Sequence, residues 1–408
     1  MKLFKLLKYF IILYVSLAMF ISCQQENLHS KVSKCVVSVI MPSGIKKEIK
    51  FAHRIVTLRS DRMTYTGETN DEGVAEFTDI IPDIYNVYAS WELSGDEYVA
   101  IADTLVESKP ALIGGVKSKM SVFSEQSIEL PTNLSLKQSL LISKVYASGT
   151  RDINNARYDA DVYVEIFNNS DEIQYMDSIY LMLVEGDSPM AFPASLNPTA
   201  LHARQVYRFP GTGKDYKVMP GKSIVIANSA RNHTFVAPTS VDLQNADFEF
   251  KGTKYPNNDN TPGMIQVYSA YIAIREINLQ RGGINSLCLI STKDNVSNYP
   301  IDYPPGKTSG NMFMRLPSSV VFDGVEILSY RTTGIDPNSK RLQNFIDAGY
   351  MNISSISGLN HESIERKVDT RKSTADRVYL IDTNNSQNDM INLTDPTPRK
   401  YDKALLNQ

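Results

Sequence analysis

The sequence is poor in the residues from which most metal and redox sites are built. Only three cysteines and five histidines occur in 408 residues, and no two histidines have the H-x-x-H or H-E-x-x-H spacing of a zinc peptidase. The G-x-S-x-G motif of serine hydrolases is also missing. The GKT triplet at 306–308 lacks the glycine that a P-loop places five positions earlier, where Ile301 stands. We therefore predict no catalytic residues and no cofactor.

An excess of charge of either sign is missing too. The chain has 42 Lys and Arg against 45 Asp and Glu, a formal net charge of -3. This balance gives no electrostatic reason to expect nucleic-acid binding. The single Trp91 does not make an aromatic platform. The 22 tyrosines offer stacking faces for sugars but are also ordinary strand residues, so carbohydrate binding has no support from sequence.

The first of the three cysteines closes an export signal. Three lysines in the first eight residues precede an apolar run at 9–21, which is shorter than the roughly 20 residues that span a bilayer. The run ends at Cys23 and resembles the lipobox of bacterial lipoproteins, with Phe20 where leucine is usual. The resemblance implies acylation of Cys23 and a lipid-anchored protein, since several acyl chains anchor stably. The alternative is an uncleaved anchor or an ordinary secretory signal with an incidental cysteine.

The other two cysteines, Cys35 and Cys288, are far apart in the sequence. They could pair in an oxidising compartment, but two buried thiols are the simpler expectation.

After a short polar tether the pattern becomes that of strands. The stretches TNDEGVAEF (69–77) and IPDIYNVYAS (81–90) combine a turn, in which Gly73 can take a positive φ, with alternating apolar residues. Together they resemble the carboxypeptidase-regulatory-like, or transthyretin-like, β-sandwich. The residues that fit its pattern are Asp71, Gly73, Phe77, Pro82 and Tyr85, while Asp83 stands where glycine is common. None of these positions is catalytic in such modules.

A second set of strand signals follows. The segments LLISKVY (140–146), DVYVEIFNNSDEIQYMDSIYLM (161–182) and PGKSIVIA (220–227) together resemble the lamin-tail type of immunoglobulin-like sandwich. Lys144 replaces the common glutamate of its first strand, and a long insertion at 183–218 separates the segments.

These features predict an all-β fold of two immunoglobulin-like or prealbumin-like β-sandwich domains in tandem after a lipoprotein signal peptide. The whole order resembles an uncharacterised family of Bacteroidota lipoproteins. The predicted divisions are a signal peptide at 1–22, a lipidated tether at 23–31, the carboxypeptidase-regulatory-like sandwich at 32–136, and the lamin-tail-like sandwich with long loop insertions at 137–408.

One stretch near the C-terminus is rich in oxygen ligands. Asp382, Asn384 and Ser386 fall at alternate positions, like the first ligands of a Ca²⁺ loop. The sixth position is Gln387 rather than glycine and the twelfth is Leu393 rather than glutamate. A surface loop with Asx turns is therefore favoured over a metal site.

Two classes of function remain. The first is a non-enzymatic binding or accessory lipoprotein of the outer membrane, on its surface or periplasmic face, which contacts the membrane through its lipid. The family resemblance implies a β-barrel receptor for nutrient uptake as the partner, and loops at 183–218 and 231–283 are the expected recognition sites. The alternative is a hydrolase that acts on polysaccharide through dispersed carboxylates such as Asp323, Glu326 and Asp347.

Overall fold

The structure, a computed structural model, describes residues 33–49, 51–186, 190–329 and 335–401. The predicted signal peptide and the predicted lipidation site, Cys23, lie outside these ranges. Strands and loops make up almost all of the described chain, which confirms the prediction of an all-β fold. No helix within it is long and apolar enough to span a membrane.

The strands before residue 137 are β1 (Ser33–Ile40), β2 (Ile55–Arg59), β3 (Thr64–Glu68), β4 (Val74–Ile80), β5 (Asp83–Leu93), β6 (Ala111–Val122), β7 (Gln126–Pro131) and β8 (Asn133–Leu136), with helix α1 (Gly95–Ile101) after β5. From residue 140 onward the elements are β9 (Leu140–Tyr146), β10 (Thr150–Arg151), β11 (Arg157–Tyr158), β12 (Tyr163–Asn168), β13 (Gln174–Tyr175), β14 (Tyr180–Val184), β15 (Ala200–Arg208), β16 (Lys217–Val218), β17 (Ser223–Ala227), β18 (Phe248–Glu249), β19 (Ile265–Ser269), β20 (Leu287–Ile290), β21 (Ile301–Asp302), β22 (Phe313–Pro317), β23 (Val321–Val325), β24 (Ile327–Leu328), β25 (Met351–Asn352), β26 (Ser363–Arg366), α2 (Ser386–Asp389) and β27 (Met390–Leu393). Single turns of 3-10 helix lie at Ala194–Leu196, Val296–Asn298, Ser318–Val320 and Pro337–Ser339.

The first strands follow the pattern that the sequence predicts. In β1 alternate residues are buried, among them Cys35 and Val37, because successive side chains of a strand point to opposite faces. Strand β1 pairs antiparallel with β4. The turn before β4 contains Gly73 with φ at +78°, and the Asn70 side-chain oxygen accepts hydrogen bonds from the N–H groups of Glu72 and Val74. The predicted turn is thus confirmed.

The described chain divides into two compact units. One contains residues 33–39, 51–87 and 117–130, and the other contains 40–49, 88–116 and the chain from 131 onward. Part of the predicted first domain therefore groups with the larger unit. A boundary at 136–137 between independently folding domains stays a prediction.

The larger unit contains a β-sandwich. One sheet has the order β18-β17-β12-β9-β26-β27, and the other has the order β21-β22-β15-β14-β20-β23 with β19 paired to β15. Apolar residues from both sheets form one core cluster, to which Ile142 and Ile166 contribute from the first sheet and Leu183 and Leu289 from the second. Burial of these side chains is the main driving force for the sandwich.

The prediction that 183–218 is a recognition loop is wrong for its central part. Strand β15 lies there, pairs with β14, β19 and β22, and is buried for most of its length. Its sequence, ALHARQVYR, does not have the pattern of a buried strand because it contains Arg204 and Gln205. Both of these side chains are nevertheless buried. The Gln205 side chain bonds to the backbone of Glu276 and Asn278 at 3.0 and 2.8 Å, so its burial leaves those polar groups satisfied.

Lys144, which departs from the lamin-tail pattern, is fully buried in β9. Its ammonium group binds the Glu365 carboxylate at 2.6 Å and donates to the carbonyls of Thr397 and Lys400 at 2.9 and 2.6 Å. It also lies 4.6 Å from the centroid of the Tyr401 ring. The buried lysine therefore fastens the C-terminal segment to this sheet.

Candidate functional site

The acids that could serve a hydrolase lie inside the sandwich. Asp323 accepts a hydrogen bond from the N–H of Ile142 at 2.6 Å and pairs with the guanidinium group of Arg366 at 3.4 Å. The same guanidinium group faces Asp382 at 3.2 Å and Asp389 at 3.4 Å. Burial raises the pKa of both Asp323 and Asp389 to about 7, although the charge of Arg366 opposes that shift.

Glu326 and Asp347 are also buried, and their oxygens are used by the backbone. Glu326 accepts from the N–H groups of Arg341 and Leu342 at 2.9 and 2.6 Å. Asp347 accepts from the N–H groups of Glu326 and Ser386 at 2.7 and 2.8 Å. Burial raises the pKa of Glu326. Carboxylates of this kind satisfy loop N–H groups in the interior and thereby hold the loops in place.

The candidate Ca²⁺ ligands have separate partners. Asp382 pairs with Arg366, Asn384 donates to the Ser135 hydroxyl at 2.6 Å, and the Ser386 hydroxyl donates to Asp347. No cluster of His, Cys, Asp and Glu suited to a metal ion occurs in the described ranges.

Cys35 and Cys288 are free and buried, in agreement with the simpler of the two expectations from the sequence. Burial raises the pKa of the Cys35 thiol to about 11 and that of Cys288 well above its ordinary value. Both thiols are therefore protonated at neutral pH, and neither has the character of a nucleophile.

Three exposed apolar side chains lie on neighbouring loops of the larger unit. Phe235 is 81% exposed, Ile153 is 67% exposed and Val236 is 44% exposed. The N–H of Ile153 donates to the Val236 carbonyl at 3.0 Å, so the β10–β11 hairpin and the 229–243 loop lie side by side. We call these three side chains the apolar tip. Adjacent exposed apolar side chains are characteristic of interaction surfaces.

The loop that carries the tip is held by a histidine. One ring nitrogen of His233, Nε2, donates to the Ser229 carbonyl at 2.8 Å, so the other, Nδ1, accepts from the Tyr158 hydroxyl at 2.7 Å. The N–H groups of Val236 and Ala237 both donate to the His233 carbonyl. Burial lowers the pKa of His233, which keeps the ring neutral at pH 7. The apolar tip is therefore displayed on a fixed turn.

Two cavities open near these loops. The larger, about 360 Å³, lies between residues 240–246 and 396–400. The Arg399 side chain at its wall already binds the Asp247 carboxylate at 2.5 Å and two backbone carbonyls. The smaller cavity, about 140 Å³, is lined by Asp159, Val162, Asn228, Lys254 and Tyr255 and by five residues of the 274–279 segment, Ile274 and Glu276 to Leu279.

Asp159 is the central charge of the smaller cavity. Its carboxylate lies 3.1 Å from the Lys254 ammonium group and 2.8 Å from the Arg281 guanidinium group, and it also accepts a hydrogen bond from the Tyr255 hydroxyl. Desolvation alone would raise the pKa of Asp159, but the hydrogen bonds from Tyr255 and Lys254 and the two positive charges lower it. No sequence motif marks this site, because its residues come from segments far apart in the chain.

Residues 219–397 match a family described as a protein of unknown function, DUF4876. A DUF4876 family protein from Bacteroides thetaiotaomicron has a similar structure, with 22% sequence identity over 91% of this chain and 98% of that chain and a TM-score of 0.58. At that identity the similarity shows the fold alone. The resemblance to an uncharacterised family is confirmed, while its lipoprotein and transthyretin-like features stay predictions.

Two further structures are much less similar. A DUF3823 family protein from Bacteroides ovatus aligns with 48% of this chain and 98% of its own at 11% identity, with a TM-score of 0.14. The Bacillus anthracis TIE protein aligns with 48% of this chain and 28% of its own at 10% identity, with a TM-score of 0.17. Neither score supports a shared fold. No curated protein sequence matches the chain.

Proposed function

We propose that the protein is a non-enzymatic binding lipoprotein of the outer membrane that engages its partner through the apolar tip. The observation that carries the proposal is the exposure of Phe235 on a turn fixed by His233. Burial of a large apolar side chain is favourable, and an exposed one does not gain this free energy. A partner that covers the side chain on binding gains it instead. The lipoprotein part rests on the N-terminal sequence pattern.

Attachment to the membrane is tested at Cys23. Radiolabelled palmitate is expected to enter the wild-type protein and not Cys23→Ser, and only the wild type should fractionate with membranes. Label in the variant, or a wild type recovered wholly in the soluble fraction after export, would contradict the anchor.

The proposed binding surface, the apolar tip, is tested by substitution of exposed apolar residues on different turns. The double variant Phe235→Ser with Ile153→Ser removes the two most exposed side chains of the tip. Ile272→Ser is the matched control, because Ile272 is 96% exposed on another loop. After affinity purification in mild detergent, an outer-membrane β-barrel protein should accompany the wild type and the control but not the double variant. An unchanged set of partners in the double variant would reject the tip as the site.

The hydrolase alternative has less support. A glycosidase needs two carboxylates that reach substrate and water, whereas Asp323, Glu326 and Asp347 are all buried. Their oxygens accept hydrogen bonds from backbone N–H groups or pair with Arg366. An assay against soluble polysaccharides in which Asp323→Asn abolished measurable activity would favour the alternative.

A further inference from the structure

The smaller cavity combines polar and apolar walls at the scale of one small ring. Its volume is about 140 Å³, and a protein cavity of roughly 150 Å³ holds one benzene molecule. Val162, Ile274, Ile277 and Leu279 supply its aliphatic lining. The carboxylates, amides and ammonium group of the other lining residues supply donors and acceptors. A ligand that fits must therefore be small and must carry both an apolar face and polar edges.

The charges around this cavity cancel. Asp159 and Glu276 are balanced by Lys254 and Arg281, and both cations lie within 3.1 Å of the Asp159 carboxylate. A cation would be repelled by these two groups, and an anion would compete with the carboxylates for them. A neutral ligand faces neither penalty. Hydroxyl groups suit the site because each one donates to a carboxylate and accepts from a cation or an amide.

Hydrogen bonds already hold the part of the cavity wall formed by residues 276–278. The Asn228 side chain bonds to the N–H of Ile277 at 3.2 Å, and the Gln205 side chain bonds to the backbone of Glu276 and Asn278. Both amides are buried. The Glu276 carboxylate accepts from the N–H of Thr253 at 3.2 Å. Because these residues are already held in place, a ligand need not order the wall when it binds.

We propose that this cavity binds one ring of a neutral cyclic polyol, such as a monosaccharide unit. One face of the ring packs on the aliphatic lining, and its hydroxyl groups bond to Asp159, Lys254 and Asn278. The site is distinct from the apolar tip, and its occupation by a sugar does not depend on the proposed partner.

The test uses ligand-observed saturation-transfer NMR on the full chain, purified in a detergent without a sugar head group. The probes are D-glucose, D-galactose, D-mannose, N-acetyl-D-glucosamine and myo-inositol, with inorganic phosphate as the anionic comparison. For a single ring we expect a dissociation constant on the order of 1 mM for at least one polyol. Asp159→Asn and Asn278→Ala should each weaken that binding, the former by about tenfold, since hydrogen bonds to charged groups are the stronger ones.

Asp294→Asn is the matched control, because Asp294 is exposed and lies outside the cavity lining. It should bind as the wild type does, and thermal unfolding should show that all variants are folded. The proposal is overturned if no polyol gives a saturable signal, if phosphate binds and the polyols do not, or if folded Asp159→Asn and Asn278→Ala both bind like the control. Loss of partner capture by the apolar-tip variant with sugar binding intact would separate this site from the proposed function.

Discussion

Arg366 faces three aspartates in the interior of the sandwich. Arg281 instead shares Asp159 with Lys254 beside the smaller cavity, a group that we call the loop end. The Arg366 side chain is 3% exposed and those of its three partners are 1–3% exposed. The Arg281 and Asp159 side chains are 27% and 22% exposed. Both places pair guanidinium groups with carboxylates, but they differ in burial and in which charge is in excess.

The difference appears in the direction of the pKa shifts. In the interior, burial outweighs the single cation and raises the pKa of Asp323 and Asp389. At the loop end, two cations and a hydroxyl outweigh burial and lower the pKa of Asp159. The buried Arg366 cluster therefore contains aspartates that ionise less readily than usual. The partly exposed Asp159, in contrast, is ionised beside a cavity. Only the second arrangement is available to a ligand.

Removal of the interior cation should have the largest effect. In Arg366→Met the three aspartates lose their shared positive charge, and breaking a buried pair in this way typically costs about 3–5 kcal/mol. We expect a decrease of that size in the free energy of unfolding, measured by urea denaturation of the full chain at pH 7. The control is Arg371→Ala, because the Arg371 side chain is 85% exposed. Its partner Asp369 is buried but keeps the hydrogen bond from the backbone N–H of residue 371. That variant should change stability by no more than about 1 kcal/mol. Equal losses in the two variants would mean that the interior cation contributes no more to stability than the exposed Arg371.

Periodicity and turn residues predicted many strands, including β9 with its buried Lys144, but did not predict β15. Strands β1, β9, β12 and β17 carry alternating or continuous apolar residues, and their positions follow from that pattern. Strand β15 carries Arg204 and Gln205, whose burial depends on backbone groups more than 60 residues away. A local sequence pattern does not show which distant backbone groups these side chains bind.

The Asp159 site and the environment of the buried acids could not be predicted from sequence for the same reason. Asp159 precedes Lys254 by 95 residues and Arg281 by 122, and no motif links them. Asp323 and Asp347 were visible as acids, but only the fold shows that their oxygens face backbone N–H groups. The sequence therefore identifies these residues as acids but does not show their burial or their hydrogen-bond partners.

The second effect is a pH dependence that the interior cluster should impose. Because the pKa of Asp323 and Asp389 is about 7 in the folded protein and about 4 in an unfolded chain, the folded state binds more protons between these values. Their contribution to stability is fully present below about pH 4 and is lost as the pH rises through 7. We expect the free energy of unfolding to increase by on the order of 2 kcal/mol from pH 8 to pH 6. Asp323→Asn should flatten this slope, and an equally steep slope in the variant would assign the titration to other groups.

The smallest effect concerns the loop-end carboxylate. The pKa of Asp159 is lowered in the folded protein, so its contribution to stability is present above the unfolded pKa of about 4 and is lost as the pH falls through the lower, folded value. Because its partners are partly exposed, Asp159→Asn should cost no more than about 1 kcal/mol at pH 7. Thermal unfolding of this variant beside Asp323→Asn at pH 6 and pH 8 would compare the two sites directly. We expect Asp159→Asn to keep the wild-type slope over this range, since its carboxylate is ionised throughout. A change in slope as large as that of Asp323→Asn would mean that the loop-end site is coupled to the interior titration and is not an open, independent one.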